Sequence, residues 1–181
     1  YTTLLATTGT QVIRVHLAKS TSFDPVRDFT PITQVGESVT VIVAHPSVPA
    51  NNIEELIDYA RKNPGKIDFG TSGVGSPHHL SGELLMMLTG TNMVHVPYKA
   101  TAQALQDVIA GQLRTSFAIS GVVVPAMRAG KVKVLATVRD HRSRFLPDVP
   151  ALGETVKGFE TPPSWSGYFA PAKMEATLLR R

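Results

Sequence analysis

Short strand-like runs alternate with helical patterns from residue 39 to residue 138, and this alternation restricts the fold more than any other feature of the sequence. Apolar runs rich in β-branched residues predict five strands, at residues 39–44, 66–70, 93–97, 113–119 and 132–138. Strands separated by single helices are typical of βαβ units. We therefore predict an α/β fold with a mostly parallel sheet.

The helices between these strands are marked by residues that start and end helices. Asn52 and Glu55 have the spacing of a capping box, and Pro77 suits a first helical turn. Thr101 is placed to cap a third helix, and a shorter fourth helix is predicted at about residues 124–129. Each of the four patterns is followed by a glycine, which commonly terminates a helix; these are Gly65, Gly90, Gly111 and Gly130.

Both ends of the chain show weaker patterns. The first 37 residues contain one clear strand, at residues 3–6. Residues 139–169 are rich in proline and glycine, so we predict irregular structure there, with one short helix near residues 151–156.

The composition excludes several classes of function. The chain has 18 Lys and Arg against 14 Asp and Glu, a net charge of +4 that mildly favours anionic ligands. The basic residues are scattered and lack interleaved aromatic side chains, so we predict no nucleic-acid partner. Cysteine is absent, which excludes disulfides, thiolate metal sites and a thiol nucleophile. No apolar run approaches the ~20 residues that span a bilayer.

The most informative segment is the run of small residues at 70–76, between a predicted strand and a predicted helix. Unpaired N–H groups at a helix N-terminus attract anions, so this loop suits a carboxylate or a phosphate. Alternatively, it is a tight turn whose glycines only allow close helix packing. It lacks the lysine of a P-loop and the GxGxxG pattern, and Val74 stands where a hydrolase G-x-S-x-G elbow needs glycine.

His78 and His79 raise the question of a metal site at the start of the next helix. Adjacent helical residues point about 100° apart, and no further ligand lies at suitable spacing, so we predict no metal. We expect one of the two to hydrogen-bond to nearby backbone or to a bound anion. A second turn, at residues 98–101, also follows a strand and should open on the same edge of a parallel sheet. Tyr98 is either a ligand contact or a rim aromatic packed on a helix.

Taken together, several segments resemble the Bug-type extracytoplasmic solute receptors of the tripartite tricarboxylate transporter family. The segments are residues 4–10 (LLATTGT), 28–32 (DFTPI), 63–66 (NPGK), 73–76 (GVGS) followed by His79 and Leu80, 95–99 (HVPYK), 110–112 (AGQ), 129–131 (AGK) and 146–150 (LPDVP). The resemblance implies a periplasmic-binding-protein-like fold of two α/β lobes joined by crossing strands, with the first lobe incomplete. The expected division is residues 1–43 and 137–181 in the first lobe and 44–136 in the second.

The resemblance also implies a function. The protein is expected to capture a small carboxylate, such as a di- or tricarboxylate, an acidic amino acid or an aromatic carboxylate, between its lobes and to deliver it to a membrane permease. It implies no enzyme activity and no cofactor. No leader is visible in residues 1–181, so the expected periplasmic location rests on the resemblance alone. The alternatives are the effector-sensing domain of a transcription regulator and, less favoured, an enzyme acting on phosphorylated substrates.

The resemblance places the ligand carboxylate in the loop formed by Ser72, Gly73, Val74, Gly75 and Ser76, held mostly by backbone N–H groups. Tyr98, Ala100 and Thr101 are implied as the second contact set, and Thr7 and Thr8 as contributors from the first lobe, directly or through water. The family usually has glycine where this chain has Ala100, which adds a methyl group to the turn. Because the first lobe is expected to lack its main ligand loop, we expect the chain alone to bind carboxylates weakly or not at all.

Overall fold

The computed structural model describes residues 2–175, which form two compact units. The larger unit is Val39–Thr161, and the smaller unit combines Tyr1–Ser38 with Pro162–Arg181. The strands are β1 (Leu4–Thr7), β2 (Phe29–Glu37), β3 (Thr40–Ala44), β4 (Asp68–Thr71), β5 (Val94–Pro97), β6 (Thr115–Ile119), β7 (Lys133–Thr137) and β8 (Trp165–Pro171). The helices are α1 (Arg14–Leu17), α2 (Ile53–Lys62), α3 (Pro77–Thr89), α4 (Thr101–Ile109), α5 (Ser120–Arg128) and α6 (Leu152–Thr155).

The larger unit is built on a five-stranded sheet in the order β5-β4-β6-β3-β7. β4 pairs in parallel with β5 and β6, whereas β3 runs antiparallel to both β6 and β7. Four of the five strands of this sheet therefore run in the same direction, in agreement with the predicted mostly parallel sheet, and β3 is the reversed strand. All five residues of β3 are buried, and a fully apolar run fits a central strand in either direction, so the sequence pattern carries no information on its orientation.

Helices cover both faces of this sheet. Alternate side chains of β3 enter two separate cores, with Ile42 in one and Val41 in the other. The first core also takes apolar residues from α2, α3 and α6, and the second takes those of α4 and α5. The larger unit is thus a three-layer α/β/α structure, in agreement with the predicted α/β class.

The limits of the larger unit differ from the predicted lobe limits of 44 and 136. β3 lies inside the larger sheet, so the boundary falls before it. On the other side, Leu152 and Phe159 are 0% and 2% exposed in the first core, which keeps the segment after β7 in the same unit. The closing of two lobes on a ligand remains a prediction.

Helix ends follow the sequence signals in α2 and α3 but not in α5. Asn52 caps α2 by accepting from the Glu55 N–H at 2.8 Å, while the Glu55 carboxylate accepts from the Asn51 N–H at 2.7 Å, one residue before the position in a capping box. α5 begins at Ser120, not near residue 124 as predicted, and it carries Pro125 in its interior. A proline there is typical of a first helical turn, which explains the misplaced start.

The smaller unit holds a three-stranded antiparallel sheet in the order β1-β8-β2. β1 was predicted, within one residue at each end, but β2 and β8 were not. β2 contains register shifts between Pro31 and Thr33 and between Gln34 and Gly36, and such bulges break the two-residue alternation that identifies a strand.

A five-residue π-helical segment, Gly9–Ile13, follows β1 and continues into α1. None of the helices in residues 2–175 combines the length and the apolar character that a membrane-spanning helix requires.

Candidate functional site

Two loops lie next to each other at one edge of the larger sheet. β4 and β5 are parallel, and Thr71 is paired with Pro97 at their carboxyl ends. Tyr98 donates its N–H to the Thr71 carbonyl at 3.1 Å, which holds the turn after β5 against the loop after β4. The prediction that the two loops open on the same edge is confirmed.

The loop after β4, residues 72–76, has a conformation that depends on its glycines. Gly73 has φ +110° and Gly75 has φ +75°, values that residues with a side chain rarely adopt. The glycines therefore shape this loop directly, beyond any role in helix packing.

The 72–76 loop leads directly into α3. Ser76 is the N-cap residue, its hydroxyl accepts from the His79 N–H at 3.2 Å, and Pro77 occupies the first helical position as predicted. The loop is thus fixed at the N-terminus of a 13-residue helix, where the helix dipole favours negative charge.

The N–H groups of the 72–76 loop are not all available to a ligand. Gly73 donates to the Thr71 hydroxyl at 3.2 Å, Gly75 to Nδ1 of His79 at 3.2 Å, and Ser76 to the Gly73 carbonyl at 3.2 Å. In contrast, residues 2–175 provide no acceptor for the N–H of Ser72, Val74 or His78. Of the five predicted residues, only Ser72 and Val74 therefore have an N–H group open to an anion among residues 2–175. His78, in α3, adds a third such donor.

His78 is a neutral residue beneath the loop. Its Nδ1 lies 2.9 Å from the Ser72 hydroxyl, and burial lowers its pKa to about 4. Its Nε2 is buried without a hydrogen-bond partner among the described residues. His78 consequently adds no positive charge near neutral pH but fixes the side chain of Ser72.

His79 meets the expectation that one of the two histidines bonds to nearby backbone, because it accepts the Gly75 N–H. Its ring packs on that of His95, with centroids 4.2 Å apart, and Nε2 of His95 lies 2.7 Å from the Thr71 hydroxyl. Burial, followed by the neighbouring His79, lowers the pKa of His95, while Glu83 raises it. Among residues 2–175, no three His, Cys, Asp or Glu side chains are grouped to hold a metal ion.

In the turn at 98–101, the side chain of Tyr98 is bonded and packed within the larger unit. The Tyr98 hydroxyl donates to the Asp107 carboxylate at 2.6 Å, and its ring packs against the second core. Burial, followed by this carboxylate, raises the pKa of Tyr98 to about 12. These contacts of the Tyr98 side chain fit the interpretation of this residue as a rim aromatic packed on a helix.

The start of α4 corrects a sequence prediction. Ala100, and not Thr101, is the N-cap residue, and no side chain caps this helix. Thr101 is the first helical residue, and the N–H groups of Thr101 and Ala102 have no acceptor in the described part of the chain. The uncapped helix thus presents two backbone donors at the edge where the 72–76 loop lies.

Thr7 and Thr8 lie in the smaller unit, at the end of β1 and directly after it. Thr8 is 2% exposed, and its side chain is hydrogen-bonded within the smaller unit. Its hydroxyl donates to the Pro163 carbonyl at 2.9 Å and accepts from the Trp165 N–H at 3.0 Å. Thr7 is exposed, with its N–H bonded to the Thr10 hydroxyl at 3.0 Å. Of the two, only Thr7 keeps a side chain that solvent reaches.

Sequence reasoning missed Thr71 and His95. Thr71 is fully buried, and its hydroxyl both accepts from Gly73 and contacts His95. The available signal was positional, since Thr71 is the last residue of β4 and His95 lies in the strand after the next helix. Their contact depends on strand register, which the sequence pattern does not give.

The sequence profile of the tripartite tricarboxylate transporter family receptor matches residues 1–181. The chain belongs to this family. The resemblance identified from the sequence is therefore confirmed, and the family consists of solute-binding receptors and not of enzymes. The comparisons give no support to the effector-sensing domain of a transcription regulator.

Relatives of known sequence and structure agree with this membership. A UPF0065 protein of Bordetella pertussis is 30% identical over 181 residues, covering 100% of this chain and 56% of the relative. The solved structure of an R. palustris protein with adipate has a TM-score of 0.91 and 30% identity, covering 99% of this chain and 60% of that protein. The structure of the periplasmic binding protein BugD has a TM-score of 0.87 and 32% identity, covering 99% of this chain and 60% of BugD.

These comparisons confirm the periplasmic-binding-protein-like α/β fold. The chain spans little more than half the length of the curated relative, at 56%, and 60% of the two structures.

Proposed function

We propose that this chain is the carboxylate-binding part of an extracytoplasmic receptor that delivers its ligand to a tripartite tricarboxylate transporter permease. The ligand class is a small carboxylate, and a periplasmic location follows from the same proposal. The 72–76 loop and the turn at 98–101 form the seat for one carboxylate of the ligand.

A single observation carries the proposal: two adjacent loops both contain backbone donors without acceptors. Ser72, Val74 and His78 contribute theirs around the start of α3, and Thr101 and Ala102 contribute theirs at the start of α4. Val74 and Ala102 are exposed, but Ser72 and Thr101 are half-buried and His78 is buried. The N–H groups of such residues are normally paired, so donors left open at this edge suit a ligand that only accepts hydrogen bonds. A carboxylate has two such oxygens and about four acceptor positions.

The electrostatics of the two helices favour an anion at the same place. α3 has 13 residues and α4 has 9, and both begin at the edge where β4 and β5 end. Each helix N-terminus acts as roughly half a positive charge. The neighbouring Lys99 is exposed and adds a full positive charge near the turn.

The ligands of relatives support a carboxylate. The R. palustris structure, similar to this chain at a TM-score of 0.91, contains adipate, which is a dicarboxylate. Delivery to a permease is supported by the family, whose members serve as transporter receptors.

Calorimetric titration of the protein, produced at the length of its relatives, tests the ligand class. The ligands are adipate, a set of monocarboxylates and tricarboxylates, and adipamide, the neutral diamide of adipate. We expect at least one carboxylate to bind and adipamide to give no heat of binding, because an amide lacks the charge that the free N–H groups select. Absence of binding by every carboxylate, or equal binding of adipamide, would contradict the proposal.

Uptake measurements test the delivery step. Membrane vesicles carrying the permease subunits should accumulate labelled ligand when the loaded receptor is added. Accumulation that is equal with and without the receptor would show that this protein does not supply the permease.

A further inference from the structure

The two positive-φ glycines of the 72–76 loop are held by side chains from outside it. The Gly73 N–H is bonded to the hydroxyl of Thr71, and the Gly75 N–H is bonded to Nδ1 of His79 at 3.2 Å. Both bonds restrain residues that have unusual conformational freedom. The loop is thus fixed at two points by two different acceptors.

The bond to Gly75 defines the protonation state of His79. A backbone N–H can only donate, so the nitrogen that faces it must be unprotonated. The proton of a neutral ring then resides on Nε2, which lies 3.4 Å from the Glu83 carboxylate, one helical turn further along α3. Glu83 therefore favours the tautomer that leaves Nδ1 free to accept.

The His79 ring is also fixed from the neighbouring strand. The ring of His95, in β5, packs on it with centroids 4.2 Å apart and an interplanar angle of 42°. His95 is in turn bonded to Thr71, whose hydroxyl holds Gly73. The two acceptors that shape the loop are consequently parts of one connected group.

We propose that His79 is a positioning residue for the ligand seat: its neutral imidazole, proton on Nε2, accepts the Gly75 N–H and so keeps the loop in the conformation that leaves the Ser72 and Val74 N–H groups open. This inference rests on the proposed function, because it gives a role within that same seat. His79 itself does not contact the ligand; it acts through Gly75.

Substitution by asparagine and leucine separates the acceptor from the bulk of the side chain. The two residues have nearly the same shape, but asparagine would keep a polar atom close to the position of Nδ1, whereas leucine has none. We expect His79→Leu to weaken carboxylate binding about tenfold, since one backbone bond that orders the loop is lost. We expect His79→Asn to restore most of the lost affinity.

This order of affinities distinguishes positioning from space filling. Leucine is the better helix former and the more apolar residue, so a purely structural role at this half-buried position would favour leucine over asparagine. Equal affinities, or tighter binding by His79→Leu, would overturn the proposal. Thermal unfolding of both variants verifies that they are folded.

Two NMR measurements on the unliganded protein test the positioning role independently of any ligand. Long-range proton–nitrogen correlations should show His79 with an unprotonated Nδ1 and a protonated Nε2, and a proton on Nδ1 would overturn the proposal. Amide exchange at Gly75 should accelerate in His79→Leu and stay slow in His79→Asn; equal exchange in both would also overturn it. If both NMR results are as expected but no carboxylate binds, the proposed function fails while the positioning of the loop by His79 stands.

Discussion

The backbone N–H of Thr101 can be removed by a single substitution that suits the fold. Thr101 is the first residue of α4, where proline is well tolerated because this N–H has no partner within the helix. Ala100 has φ −150° and ψ 149°, the extended conformation that a following proline requires. Thr101→Pro is therefore expected to keep the fold and to raise stability by about 0.4–1 kcal/mol, since proline restricts the unfolded chain.

The expected loss lies in ligand binding. A hydrogen bond to a charged group contributes about 1.5–3 kcal/mol, and each 1.4 kcal/mol corresponds to about tenfold in affinity. Thr101→Pro should therefore weaken binding of the tightest carboxylate by at least about tenfold. Isothermal titration calorimetry measures the affinity, and urea unfolding measures the stability.

Thr101→Ala is the matched control, because it removes the hydroxyl but keeps the N–H. We expect its affinity to stay close to that of the unchanged protein. If Thr101→Pro is stably folded and binds as tightly as Thr101→Ala, the N–H of Thr101 does not hold the ligand, and the reasoning from open donors at α4 is refuted.

Three further predictions concern stability and the side chains around the seat. Gly82→Ala should lower the free energy of unfolding by about 1–3 kcal/mol, because the added methyl group would overlap the Phe69 ring, as measured by urea unfolding. Tyr98→Phe should lower it by about 1.5 kcal/mol through loss of the bond to Asp107, yet leave carboxylate affinity unchanged in calorimetry. Burial lowers the pKa of His78 from 6.5 to about 4. As the pH falls, this histidine is therefore protonated in the unfolded chain before it is protonated in the folded chain. The free energy of unfolding should consequently fall by up to about 3 kcal/mol between pH 6.5 and 4. His78→Asn should flatten that part of the pH profile.

Each of these predictions has its own control or contrary result. Gly121 is also a helical glycine but has open space around it, so Gly121→Ala should be neutral or stabilising, and equal losses at both glycines would contradict the packing argument. A marked loss of carboxylate affinity in Tyr98→Phe would mean that the Tyr98 hydroxyl belongs to the ligand seat. An unchanged pH profile in His78→Asn would mean that His78 is not kept neutral by burial.

The sequence predicted best where local signals and tertiary packing agree. α3 carries Pro77 at its start and Gly90, with φ +65°, at its end, and its bounds were predicted from these two residues. β2 was missed because bulges interrupt its alternation, and the reversed direction of β3 was not predicted because a buried apolar run fits a sheet either way. Strand direction and bulges are set by pairing partners far along the chain, which a local pattern does not contain.

The same distinction applies to the candidate site. The loops at 72–76 and 98–101 were predicted from small residues at strand ends, and the structure brings them together at one edge. Which donors remain open could not be predicted, because the side chains of Thr71 and His79 occupy those of Gly73 and Gly75 only in this loop conformation. The structural role of Thr8 likewise depends on a contact with Pro163, 155 residues away.

The most direct measurement of carboxylate seating is an NMR titration of the full-length protein with the ligand selected by calorimetry, observed at the backbone amides. The amides of Ser72, Val74 and Thr101 should show large downfield proton shifts that saturate with the calorimetric affinity, because their N–H groups acquire a charged acceptor. A carboxylate that binds while these three amides stay unshifted would contradict the proposed seat.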